Sequence, residues 1–152
     1  MPLARRGRPL PSFSTDNLTN DRMGFLMTNT LMFKKYELTD ETKVVNGITL
    51  HRIKALRDFY NVKAGDLGGF IQKEENLSHE GNAWVGDEAC VYQDAQICDH
   101  ARVYEHAKVF GKAWVFGYAQ IYGHAKVCGD ALIFGTAWFS GDLELLYDTA
   151  WS

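Results

Sequence analysis

A chain of 152 residues, 46% of them hydrophobic, has the length of one domain and enough apolar side chains to build a core without cross-links. A formal net charge of −3 excludes a nucleic-acid binder driven by bulk charge. Cys90, Cys98 and Cys128 are odd in number and lack CxxC spacing, which reads as reduced thiols in a cytoplasmic protein, and no apolar run reaches the roughly 18 residues of a membrane span.

Pro2, Pro9 and Pro11 are all the prolines of the chain, and Arg5, Arg6, Arg8 and Arg22 lie among Ser, Thr and Asn without periodicity. No apolar segment follows these arginines as a signal peptide requires. Residues 1–31 therefore read as a disordered or extension arm, with Met23, Met27 and Met32 as alternative starts.

Residues 32–70 read as an N-terminal β cap. Phe33–Leu38 is a short strand. Lys43–Val45 and Ile48–Ile53 flank Asn46-Gly47, a dipeptide that favours a two-residue hairpin because both positions tolerate positive φ. Ala64–Gly69 is rich in glycine but has no GxxxxGK[ST] pattern, so it is expected to be a backbone turn rather than a phosphate loop.

Residues 71–142 hold an internal repeat. Alanine recurs every six residues from Ala83 to Ala137, and Val, Ile or Phe follows two residues later from Val85 to Phe139. Glycine occupies the next alternate position from Gly111 to Gly141. Alternate residues of a strand share a face, so Ala and Val point inward together. The chain must then bend, and glycine permits the bend. Six residues make one wall, three walls close a coil, and residue i stacks on i+18. Leu143–Tyr147 breaks the hexad, so 143–152 is expected to form a tail or cap.

A core filled by Ala, Val and Ile leaves no internal cavity, so function belongs to the outside. Stacking by 18 places Trp84, Tyr92, Tyr104, Phe110, Trp114, Phe116, Tyr122, Phe134 and Trp138 on outer columns, and these form the expected binding surface. Glu88, His106, His124 and Asp142 share a corner column, which makes His106 and His124 the candidate general bases. A flat ladder does not converge ligands tetrahedrally, so no metal site is expected.

Lys35–Leu38, Leu56–Phe59, Val62–Phe70, Glu74–Ser78 and Gly81–Val85 resemble the YdcK-type family of bacterial and phage-borne hexapeptide-repeat proteins, most specifically over 65–78. The resemblance implies an all-β fold, a single-stranded left-handed β-helix of hexapeptide repeats with an N-terminal β-hairpin cap. It brings a transferase label from the wider hexapeptide superfamily but no established reaction, so no catalytic residue carries over.

Three functions follow as expectations. One is a non-catalytic binding or assembly module presenting flat aromatic walls to a protein partner or to itself, as a homo-oligomer without a cofactor, membrane or nucleic acid. Another is an acyltransferase at a trimer interface, using acetyl-CoA or another acyl-CoA. The third is a phage-encoded inhibitor that binds a host protein.

Overall fold

The computed structural model describes residues 34–141 together with the backbone of residues 144–145 and 150–151. The arm expected at 1–31 lies outside the described residues. Strands β1 (Tyr36–Val45) and β2 (Ile48–Ala55) form an antiparallel hairpin around Asn46-Gly47, both of which take positive φ. β3 (Leu67–Ile71) pairs with β2 on one side and, in parallel, with Cys90–Val91 on the other.

From Trp84 onward the chain winds as a parallel three-walled β-solenoid of about four turns. Two-residue strands recur every six residues, and each wall stacks at a spacing of 18: Trp84 on Arg102, Arg102 on Gln120, Gln120 on Trp138. Every repeat alanine from 83 to 131 and every Val or Ile from 85 to 133 is buried. The pairing outlasts the alanine signature. Glu144–Leu145 pairs with Lys126–Val127, and Ala150–Trp151 with Leu132–Ile133, so the backbone keeps the 18-residue register beyond Gly141.

The corners explain why glycine enters only halfway along. At most corners an alanine N–H bonds back three residues, as Ala107 N does to Tyr104 O at 3.3 Å. The residue within that turn has positive φ, whether it is Asp87, Gln93, Asp99 and Glu105 in the first coils or glycine from 111 onward. A Cβ on Gly111 would lie 2.8 Å from the Gly129 nitrogen, so glycine corners stack too closely for side chains. The earlier corners offset their strain with a polar oxygen. Asp87, Gln93, Asp99 and Glu105 each accept the backbone N–H of the residue 18 further on, at 3.0, 2.9, 3.1 and 2.8 Å.

Between coils, the alanine carbonyl and the Val or Ile carbonyl of each repeat accept N–H groups of the coil before, as Ala101 O does from Trp84 N and Val103 O from Gly86 N. In the first coil these carbonyls need donors from the cap. Phe70 N and Gln72 N supply Ala89 O and Val91 O on one wall. Asn76, fully buried, donates from Nδ2 to Gln93 O and Ala95 O, while its Oδ1 accepts from Gln72 N and Lys73 N. On the remaining wall the ammonium of fully buried Lys35 donates to Ala83 O at 2.6 Å and sits 5.0 Å over the Phe59 ring.

Burial, followed by the Arg57 and Arg102 guanidiniums, lowers the Lys35 pKa to about 7. Between about 7 and the ordinary value of 10.5 the unfolded chain thus binds a proton that the folded chain releases. This lysine costs stability in full below pH 7, and the cost fades as pH rises to 10.5. Urea melts from pH 7 to pH 10 should show Lys35→Met losing a stability gain of up to about 1.4 kcal/mol per pH unit. Equal slopes for the two proteins would show that the amine does not titrate this way.

Candidate functional site

Docking of the cap creates a cleft that the repeat alone does not have. After β2 the chain turns outward, and Phe59 and Val62 exchange two backbone hydrogen bonds at 2.9 and 2.8 Å. Tyr60 and Asn61 are the tip of that turn. Tyr60 pays for its place with a φ of 47°, in the left-handed region that suits few bulky residues. The tip overhangs the wall that carries Trp84, Arg102 and Gln120. Between them lies an open cleft of about 570 Å³, lined from the cap by Tyr60, Val62 and Leu67 and from the solenoid by Trp84, Gly86, Asp87, Arg102, Tyr104 and Gln120.

Arg102 is the charged centre of this cleft. Its guanidinium stacks under the Tyr60 ring at 4.6 Å, and its Nη2 is buried without a hydrogen-bond acceptor. Burial pulls its pKa below the ordinary arginine value, partly opposed by Tyr60 and Tyr104. Asp87 lines the same cleft, but one of its carboxylate oxygens is taken by the Glu105 N–H. The Tyr104 hydroxyl donates to Gln120 Oε1 at 2.9 Å.

The outer columns stack as the 18-residue register requires. Tyr92 lies on Phe110 at 4.9 Å, Tyr104 on Tyr122 at 5.0 Å and Phe116 on Phe134 at 5.4 Å between ring centroids, all nearly parallel. Trp114 and Trp138 stand out from the walls at 45% and 65% exposure. Two of the nine residues expected on an open surface are not there. Tyr92 is 1% exposed, because the hairpin lies along its wall and packs Leu50 and Phe70 into one cluster with it. Trp84 is 6% exposed, covered by the cap through edge-on contacts with Tyr36 and Phe59. The cap therefore extends one wall as well as closing the end.

His106 and His124 stack at 5.1 Å on the corner as expected, beside a groove shared with Lys43, Cys90, Lys108 and Lys126. Glu88 lines the same groove, where its carboxylate pairs with Arg52 at 3.0 Å and Lys43 at 3.4 Å of the hairpin. Asp142 lies outside the described residues. The two parallel rings share no convergent point, and among the described residues no group of three or more His, Cys, Asp and Glu side chains is placed to hold a metal ion. Cys90, Cys98 and Cys128 are not joined by disulfides. Among the described residues, no helix is long and apolar enough to cross a membrane.

Sequence reasoning missed Tyr60, Arg102 and Gly86 as a constellation. The one available signal was the turn chemistry of Asn61 after an aromatic pair. Nothing local to Tyr60 reveals that it reaches Arg102.

Comparison with known proteins agrees with the repeat. The family model of the YdcK β-solenoid repeat matches residues 95–117. A stretch of 66 residues is 33% identical to the "Uncharacterized acetyltransferase YdcK" of Escherichia coli (strain K12). The match covers 38% of this chain and 20% of that protein, so the chain aligns with about a fifth of its relative's length.

Proposed function

We propose that this chain, whose repeat is of the YdcK β-solenoid type, is a non-catalytic binding and assembly module. The observation that carries the reading is the set of stacked aromatic columns together with the exposed Trp114 and Trp138, on walls from which no described loop projects between 84 and 139. Stacked rings on a β wall are already ordered, so little side-chain entropy is lost when a partner covers them. Aromatic anchors of this kind dominate protein interfaces. The occupant is a second copy in a cyclic homo-oligomer such as a trimer, or a protein partner such as the host target of a phage inhibitor.

Light scattering at micromolar concentration tests self-assembly. The expected mass is a multiple of 17.2 kDa, falling to the monomer in Trp114→Glu. A monomer for the unaltered chain rejects self-association.

The name of the E. coli relative favours a second reading, an acyltransferase using acetyl-CoA with His106 or His124 as base. Calorimetry decides it: no heat with millimolar acetyl-CoA removes the reading. If acetyl-CoA binds, unchanged turnover in His106→Ala and His124→Ala excludes the proposed base.

A further inference from the structure

Beyond the wall surfaces, the cleft under the cap holds an unfilled position in an aromatic column. Tyr104 stacks on Tyr122 in parallel planes 6° apart. One coil earlier, the same column holds Gly86, so the outer face of the Tyr104 ring has no ring above it from this column. The gap is open. A Cβ on Gly86 would meet Trp84 Cδ1 at 3.6 Å, Tyr104 Cβ at 3.7 Å and Trp84 Nε1 at 3.9 Å, which are ordinary contacts. Its φ is not in the left-handed region, so this glycine serves neither turn chemistry nor close packing. Two residues before Tyr104 on the same wall stands Arg102, whose Nη2 lacks an acceptor.

We propose that the gap between Gly86 and Tyr104 is a small-ligand site for a flat aromatic ring bearing a carboxylate. The ring continues the tyrosine column at the spacing the column already uses, and Trp84 closes the slot from one side. The carboxylate meets the edge of the Arg102 guanidinium, whose paired N–H groups match two carboxylate oxygens. Tyr60 covers the guanidinium, so the ligand displaces the exposed Tyr60 ring from the arginine it now screens and supplies the missing acceptor. A neutral ring leaves the buried donor unpaired, and a bare anion leaves the slot unfilled. Both parts are therefore required.

The probe is 2-naphthoate, titrated into the intact chain by calorimetry, with 2-naphthamide and inorganic phosphate as controls. Millimolar or tighter binding of 2-naphthoate is expected, weakened at least about tenfold in Arg102→Gln and for 2-naphthamide. Gly86→Phe places a ring of the chain's own in the slot and should abolish binding, and Gly86→Leu should weaken it by occupying the same space. Thermal melts confirm that these variants fold. The proposal is overturned if 2-naphthoate does not bind, if folded Gly86→Phe and Gly86→Leu bind it as the parent does, or if phosphate competes as strongly as the naphthoate. Light scattering on the same samples reads self-assembly separately, because the wall of Gly86 and Arg102 is not that of Trp114, whose substitution tests it.

Discussion

Gly69→Ala is expected to be among the most damaging single substitutions in the chain, costing about 3 kcal/mol and lowering the melting temperature by roughly 10 °C. The reason is where β3 runs. It crosses the open end of the solenoid, and a Cβ on Gly69 would lie 2.6 Å from Ala89 O and 2.8 Å from Val85 Cγ1. One contact is backbone and the other a core side chain of the first coil, so neither can retreat without opening the first rung. Gly68 is equally confined, with Val85 O at 2.6 Å and Ile53 Cγ1 at 2.7 Å. Gly65, only three residues earlier, meets nothing within 4 Å but holds φ at 95°. Gly65→Ala should thus strain a turn at about 1 kcal/mol and leave the cap docked. Hydrogen exchange separates the outcomes. In Gly69→Ala the amides of Phe70 and Gln72, which bond to the first coil, should lose protection while those of the later coils keep theirs. Uniform protection in both variants would mean that β3 does not seal the end.

The contrast between Gly65 and Gly69 shows where sequence reading stopped. The run Ala64–Gly69 looks like one glycine-rich turn. Its first glycine is a turn residue, but the last two lie within a strand and are small because another backbone passes close by. Composition cannot distinguish a glycine chosen for φ from one chosen for space, since the distinction is made by residues 15 to 20 positions away. The repeat was legible for the opposite reason. Its alanines and valines face one another through a fixed register of 18, so facing, stacking and even the pairing of Tyr104 with Tyr122 follow from position alone. The corners fall between these cases. Asp87, Gln93, Asp99 and Glu105 sit where glycine sits later, yet only the fold reveals that each trades backbone strain for a hydrogen bond to the next coil.

The same limit applies to the surface. Tyr92 and Tyr104 occupy equivalent columns of different walls, and periodicity gives them the same exposure. The hairpin removes Tyr92 from solvent and leaves Tyr104 in a cleft, a difference set by long-range docking through Arg52. Its guanidinium reaches Gly68 O at 2.7 Å and Glu88 at 3.0 Å. Lys35 was legible only as part of a short strand. Its role as donor to the Ala83 carbonyl depends on a residue 48 positions along the chain.

Ala107→Leu tests the facing of the solenoid itself and should cost about 3 kcal/mol or more, whereas Lys108→Leu, its immediate neighbour, should be nearly neutral. Ala107 is fully buried at a corner, where its N–H closes the turn onto Tyr104 O. An isopropyl group added there points into a coil already filled by Val103 and Val109, both fully buried. The walls cannot spread to make room, because each is held to its neighbours above and below by backbone hydrogen bonds of 2.8–3.1 Å. Overpacking in a single coil therefore propagates to the coils on either side, and their amides should exchange faster. Lys108 stands on the other face of the same strand, pairing by backbone with Cys90 and Lys126. Removing its charge relieves a column in which Lys108 and Lys126 are adjacent, and leucine is tolerated on a wall already rich in apolar groups. Chemical denaturation of the two variants gives the answer directly. Equal losses would mean that alanine and lysine share one environment, and the alternation that builds the walls would be wrong at this coil.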